Sequence, residues 1–187
     1  MDAYPGLAIT LLSFVDQEDV LRFSCGDEPW SALIDRYFHE DAFEQQLGGA
    51  ATTYVVRDRA TSAVKALGTL ALGSVSWPKP SSGSKSVAVI FAYFGLSRAL
   101  RGTTTDGVKT SFACTDTVLT EAIDLWPDAD LICLSVDDEN TTAIGFWSTY
   151  GFVEWGKRRE EEGRTYVRMV AEAKKVLAII EARRAAA

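Results

Sequence analysis

Apolar positions along this chain switch between near-continuous runs and helical spacing, and the switches outline its elements. Leu7 to Leu12 has the length and character of a first strand. Trp30, Leu33, Ile34, Tyr37 and Phe38 then recur at helical spacing and give a helix one apolar face. Thr52–Arg57 and Ala66–Val75 are β-branched or apolar runs bounded by glycine and charged turns, which predicts two strands. Ser86–Leu96 is almost wholly apolar and predicts a central strand buried on both faces. Within Thr110–Trp126, the residues Val118, Leu119, Ala122, Ile123 and Trp126 share one side of a helix, which Pro127-Asp128 stops. Leu131–Val136 predicts a second buried strand. Asn140–Tyr150 predicts a helix with Ala143, Phe146, Trp147 and Tyr150 in line. Phe152–Lys157 and Thr165–Val170 predict a hairpin, and a terminal helix fraying at Ala185–Ala187 takes the rest.

This order predicts an α/β (α+β) fold: a mixed, mostly antiparallel twisted sheet with one parallel strand pair, flanked by helices. The parallel pair joins Ser86–Leu96 to Leu131–Val136 through the intervening helix, a right-handed crossover by rule. Ligands in such sheets gather at the carboxyl ends of parallel strands, where the connecting helix begins. The 187 residues fit a single domain, and no repeat or linker interrupts them. The strongest punctuation, Trp77 to Ser86, reads as a long surface loop.

Composition narrows the classes. The net charge of −7 disfavours general binding to phosphate backbones. The basic run Lys157–Arg159 is followed at once by Glu160, Glu161 and Glu162, which neutralise it. Cys25, Cys114 and Cys133 are odd in number, far apart and without metal spacing, so no metal site is expected and a reduced, cytoplasmic protein is. The apolar run Leu7–Val15 lacks a basic flank and is too short for a membrane span.

Chemistry concentrates after the central strand. Arg101-Gly102 forms a tight turn before a helix whose first amides and dipole favour an anion. Arg101 adds a charge-assisted donor, and Gly107 a second flexible point. With the downstream block Val136, Asp137, Asn140, Ala143, Phe146, Trp147, Gly151 and Phe152, this pattern resembles the cofactor-binding half of GNAT-type N-acetyltransferases over about residues 86–170. Phe23-Ser24-Cys25-Gly26, followed by a helix and Thr52–Val56, looks like the opening of the toxin-like branch.

The resemblance implies acetyl-CoA as acyl donor. Main-chain groups near Leu96 would pair with its pantetheine arm. Arg101, Gly102, Thr103, Thr104 and Gly107 would hold its pyrophosphate. Asn140 and Trp147 would sit along the arm, with helix capping as the alternative for Asn140. Two departures stand out. Thr103, Thr104, Thr105 and Asp106 replace the family's further glycines, with threonine hydroxyls as substitute donors. Trp147 stands where many members carry the tyrosine that protonates the leaving thiolate, and indole N–H is no acid at neutral pH. Tyr150, one turn on, becomes the catalytic candidate, with Tyr93 a second.

No general base is evident: His39 reads as solvated or capping, and Asp137 and Asp138 as loop carboxylates. Deprotonating a lysine amine at pH 7 costs about 4.6 kcal/mol against about 1 kcal/mol for an α-amine, so a weakly basic amine is the easier nucleophile. The implied activity is N-acetylation of a primary amine of a small molecule or peptide. The alternatives are a toxin-like acetyltransferase of aminoacyl-tRNA and a degenerate, non-catalytic acyl-CoA-binding module. Val176, Leu177, Ile179 and Ile180 leave a homodimer open, as does the late hairpin.

Overall fold

The computed structural model describes residues 4–78 and 83–187. The centre of the Trp77–Ser86 loop, residues 79–82, lies outside the described residues. The chain divides into two compact units. One comprises Met1–Ala71, Tyr93–Glu121 and Ala187, and the other Leu72–Ala92 and Ala122–Ala186.

The elements run β1 (Leu7–Leu11), α1 (Gln17–Leu21), α2 (Pro29–Glu40), α3 (Ala42–Leu47), β2 (Thr52–Asp58), β3 (Val64–Ser76) and β4 (Lys85–Leu96). After β4 come the short strands β5 (Thr104–Thr105) and β6 (Val108–Lys109), then α4 (Thr110–Leu125) and β7 (Leu131–Asp137). The chain ends through α5 (Thr141–Ser148), β8 (Val153–Glu154), β9 (Arg159–Glu161), β10 (Arg164–Glu172) and α6 (Ala173–Ala185). The main sheet has the order β1-β2-β3-β4-β7-β10-β8, with β9 also on β10. β4 and β7 pair in parallel, whereas β1–β2, β2–β3, β7–β10, β8–β10 and β9–β10 are antiparallel. The predicted mixed sheet with its single parallel pair is therefore the one observed.

Three local features were not legible in the apolar pattern. Two short helices, α1 and α3, flank the predicted α2. The late hairpin is tighter than expected: β9 and β10 meet across Glu162-Gly163, both at positive φ (51° and 76°). A second such hairpin, β5–β6, turns on Asp106-Gly107 (50° and 80°). Positive φ at both central residues is the turn whose twist matches paired strands, and Asp-Gly is among its preferred sequences.

In the first unit, Leu12, Val20, Phe23, Tyr37, Phe38, Ala42, Val55 and Leu67 form a buried cluster joined by Cys25 and Ile34. It brings the segment before α2 onto the end of β4. At Gly95 a Cβ would come within 2.6 Å of Cys25 Sγ and 3.0 Å of Phe23 Cε1. Gly95→Ala is expected to lose about 1–3 kcal/mol by overpacking, read as a lower urea midpoint at unchanged slope. A loss below about 0.5 kcal/mol would mean that the 23–25 segment is not seated on β4.

Candidate active site

The ladder between β4 and β7 runs from Ala88↔Leu131 to Phe91↔Leu134 and stops, while β4 continues to Leu96. Residues past that last pair have main-chain groups that β7 does not take. Some are engaged elsewhere: Leu96 hydrogen-bonds the Cys25 thiol, and Ser97 N–H donates to the Lys65 carbonyl at 2.8 Å. Burial, with Asp35 beside it, pushes the Cys25 thiol far above its ordinary value, so it is no nucleophile at neutral pH.

Past Leu96 the chain makes one 3₁₀ turn, Arg98–Leu100, and reaches Arg101-Gly102. Gly102 is exposed at φ 77°, and nothing lies within 4 Å of where a Cβ would stand. The two arginines of this turn carry counter-ions that the sequence reading missed. Arg98 pairs with Asp27 at 2.6 Å, and Arg101 pairs with Glu28 at 2.7 Å. Arg101 holds the Glu28 carboxyl below the usual range. These are solvent-exposed pairs, which hold weakly, so a doubly charged ligand can displace them. The signal available in the sequence was Asp27-Glu28 immediately before Pro29, which opens α2.

The threonines serve differently from the expectation that they donate to a phosphate. Thr103 Oγ1 lies 2.9 Å from the Leu100 carbonyl and 2.8 Å from Thr110 Oγ1, while Thr105 and Thr110 hydroxyls meet at 3.0 Å. Thr110 N–H donates to the Thr103 carbonyl. These bonds fasten the β5–β6 hairpin to the first residue of α4, so the helix does not open directly on Arg101-Gly102. Of the threonines expected to bind, Thr104 stays exposed and Thr103 is internally committed. Asp106 turns to the N-terminal segment, accepting from Gly6 N–H at 2.8 Å. Gly107 supplies the hairpin's positive φ.

The second block of candidate residues lies in the other unit. Asn140 caps α5, its Oδ1 accepting from Ala143 N–H at 3.0 Å. Trp147 is buried in an aromatic cluster, edge-on to Phe91, Phe146 and Phe152 with centroids 5.4–5.6 Å away. Tyr150 is fully buried. Arg183 Nη1 donates to its phenolic oxygen at 3.1 Å, and the guanidinium carbon lies 4.7 Å from the ring centroid. An acid that touches a leaving thiolate has to be reachable, and this phenol is sealed. The expectation that Tyr150 is the catalytic acid is corrected on that ground.

The carboxylates and the histidine are no freer. Asp137 is buried against Arg164, whose hydrogen bond holds the carboxyl low, and its Oδ1 accepts from Glu139 N–H. Asp138 pairs with Arg158 at 3.0 Å. His39 Nε2 bonds the Phe23 carbonyl at 3.0 Å. Among the described residues no cluster suits a metal ion, and no helix is long and apolar enough to cross a membrane. All three cysteines are free.

No protein-family model matches the sequence, and no curated protein matches it. Solved structures do. A mutant of the AtaT toxin, bound to the C-terminus of the antitoxin AtaR and acetyl-CoA, is similar at 14% identity, covering 93% of this chain and 98% of that one (TM-score 0.64). AtaT complexed with acetyl-methionyl-tRNAfMet is similar at 16% identity, covering 92% and 98% (TM-score 0.63). A chimera of spermidine N-acetyltransferase SpeG from Vibrio cholerae and hSSAT is similar at 17% identity, covering 92% and 98% (TM-score 0.62). The fold of this chain is thus the GNAT fold of these proteins, over nearly its whole length.

Proposed function

We propose that the protein is an acetyl-CoA-dependent N-acetyltransferase acting on a primary amine of a small molecule or peptide. The observation that carries this reading is the continuation of β4 past its last parallel pair, straight into a turn with two exposed arginines and an open glycine. An extended pantetheine arm, with its two amides, adds along such a strand as another strand does. The pyrophosphate then falls to Arg98, Arg101 and the main chain at Gly102. Glu28 and Asp27 occupy the arginines until the diphosphate replaces them. When bound, acetyl-CoA supplies the activated acetyl group. The chain's own part is to hold the thioester and receive the amine.

The GNAT likeness supports the reaction class: among the similar structures, one is bound to acetyl-CoA and another is a spermidine N-acetyltransferase chimera. Asp137, Asp138 and His39, the base candidates of the sequence, are each engaged by a partner, which favours an amine already partly neutral at pH 7. Likeness to a toxin complexed with a charged tRNA keeps aminoacyl-tRNA as a second acceptor class. The ion pairing of Arg158 and Arg159 with Asp138 and Glu161 works against it. Its mark would be activity that collapses with added salt.

Titration calorimetry with acetyl-CoA, followed by free-thiol release across amines and charged tRNA, tests the proposal. Thiol release with an amine supports it. Binding without release under any acceptor makes the chain an acyl-CoA-binding module instead. Arg101→Ala is expected to weaken acetyl-CoA about 10-fold or more, the scale of a charge-assisted bond to phosphate. Arg159→Ala, far along the chain on β9, serves as the charge control. Equal affinity in both variants would remove Arg101 from the site.

A further inference from the structure

Proton delivery to the leaving sulfur is the step for which the family pattern leaves this chain without a donor. Trp147 has no acidic proton, and Tyr150 is sealed under Arg183. Tyr93 differs from both. It sits on β4 two positions past Phe91, the last residue laddered to β7, and is 38% exposed. Its ring stacks face to face on Tyr37 of α2, with centroids 3.6 Å apart and planes within 6°.

Tyr37 is itself fixed. It is 3% exposed, and its hydroxyl donates to Gln45 Oε1 at 3.2 Å. Below it the hydroxyls of Thr53 and Thr69 meet at 2.8 Å in full burial, and Gln46 Oε1 accepts from Thr53 N–H at 2.7 Å. The stack holds the Tyr93 ring in one orientation on a rigid, hydrogen-bonded floor. Such support is what a group needs to act at a fixed distance from a reacting atom.

We propose that Tyr93 is the general acid of this acetyltransferase, delivering its phenolic proton to the coenzyme A thiolate. The inference rests on the cofactor reading given above. With the pyrophosphate at the arginine turn, the arm runs back along β4. A strand rises about 3.3 Å per residue, so Tyr93 lies roughly 10 Å back from Leu96, on the side where the thioester end comes to rest. The amine nitrogen bonds to the acetyl carbonyl carbon and becomes positively charged. The carbon–sulfur bond of the tetrahedral intermediate then breaks, and its electron pair passes to sulfur. The Tyr93 O–H proton goes to that sulfur, giving the free thiol. The nitrogen sheds one proton to the phenolate, directly or through a water, which restores Tyr93 and leaves the neutral amide.

Tyr37 serves as a positioning residue. Its phenol is raised above the ordinary value, by burial first and by Tyr93's proximity in part, so it stays neutral while its neighbour cycles.

The test compares the unaltered protein, Tyr93→Phe and Tyr150→Phe, each checked for its melting temperature. Acetyl-CoA affinity is measured by calorimetry and turnover by thiol release with the best amine acceptor. Tyr93→Phe is expected to bind acetyl-CoA within about twofold of the unaltered protein and to lose about 10²-fold or more in kcat. Tyr93→Phe turning over within threefold of the unaltered protein overturns the proposal. So does the reverse pattern, with turnover kept in Tyr93→Phe and lost in Tyr150→Phe. An unaltered protein that binds acetyl-CoA yet releases no thiol with any acceptor overturns it too, and leaves cofactor binding standing. Failure to bind acetyl-CoA at all brings down the parent reading and this one together.

Discussion

Phe38→Ala is expected to destabilise the protein by about 3–5 kcal/mol, the range for emptying a buried aromatic site. Phe38 is 0% exposed at the centre of the cluster between α2 and the sheet. Phe23 meets it edge-on at 6.1 Å and Tyr37 at 5.4 Å. Both neighbours are tied to the site. Phe23 lies under Gly95 of β4, and Tyr37 carries the stack on Tyr93. Flexible aliphatic side chains collapse into a void more readily than rigid rings do, so little of the cavity here is expected to close. Urea denaturation reads the loss in stability. Thiol release from acetyl-CoA, the activity proposed above, reads the loosened stack under conditions where the variant remains folded. A stability change below about 1.5 kcal/mol would mean that Phe38 does not organise this half of the molecule.

Asp137→Asn is expected to cost about 1.5–3 kcal/mol at pH 7, the range for losing a hydrogen bond to a charged group. The amide keeps the shape but loses the charge that the Arg164 guanidinium and the Glu139 N–H bond. The Asp137 side chain is 3% exposed and that of Arg164 is 21%. Arg164 keeps a contact with exposed Glu139 at 2.9 Å, which holds the cost to the low end for such pairs. The sign with pH follows from the direction of the shift. The hydrogen bond from Arg164 comes first in lowering the Asp137 carboxyl, burial opposes it, and the Glu139 N–H and the Arg164 charge add to the lowering. A carboxyl lower in the folded than in the unfolded chain stabilises the fold fully above its unfolded value, about 3.9. That contribution fades as pH falls through the lower folded value. The stability gap between the unaltered protein and Asp137→Asn should therefore be flat from pH 5 to 8 and narrow below about pH 4. A gap that widens in acid would contradict the assignment.

Much of this architecture could be read from apolar spacing alone. The runs Ser86–Leu96 and Leu131–Val136 were legible as the parallel pair because near-continuous apolar runs lack polar alternation, but β4 is not buried on both faces throughout: Val87, Ala92 and Tyr93 are exposed. The helix from Asn140 was legible because its apolar residues repeat at helical spacing and its cap precedes them. α1 and α3 escaped because five- and six-residue helices are too short to show a period. The β5–β6 hairpin escaped because two-residue strands carry no pattern, although Asp106-Gly107 was its visible turn signal.

The candidate site divides the same way. Arg101, Gly102 and Asn140 stand at an exposed turn and a helix cap, as local sequence implies. Local sequence could not show that Arg98 and Arg101 meet Asp27 and Glu28 from some seventy positions earlier, since those contacts need the segment before α2 laid on the end of β4. Nor could it rank the tyrosines. Tyr93 and Tyr150 are the same residue type, each on an element that reads as apolar, and one is buried against Arg183 while the other stacks, part-exposed, on Tyr37. Spacing fixes which face of an element is apolar. Burial and partners depend on which distant segments cover that face, and here they separate the accessible phenol from the sealed one.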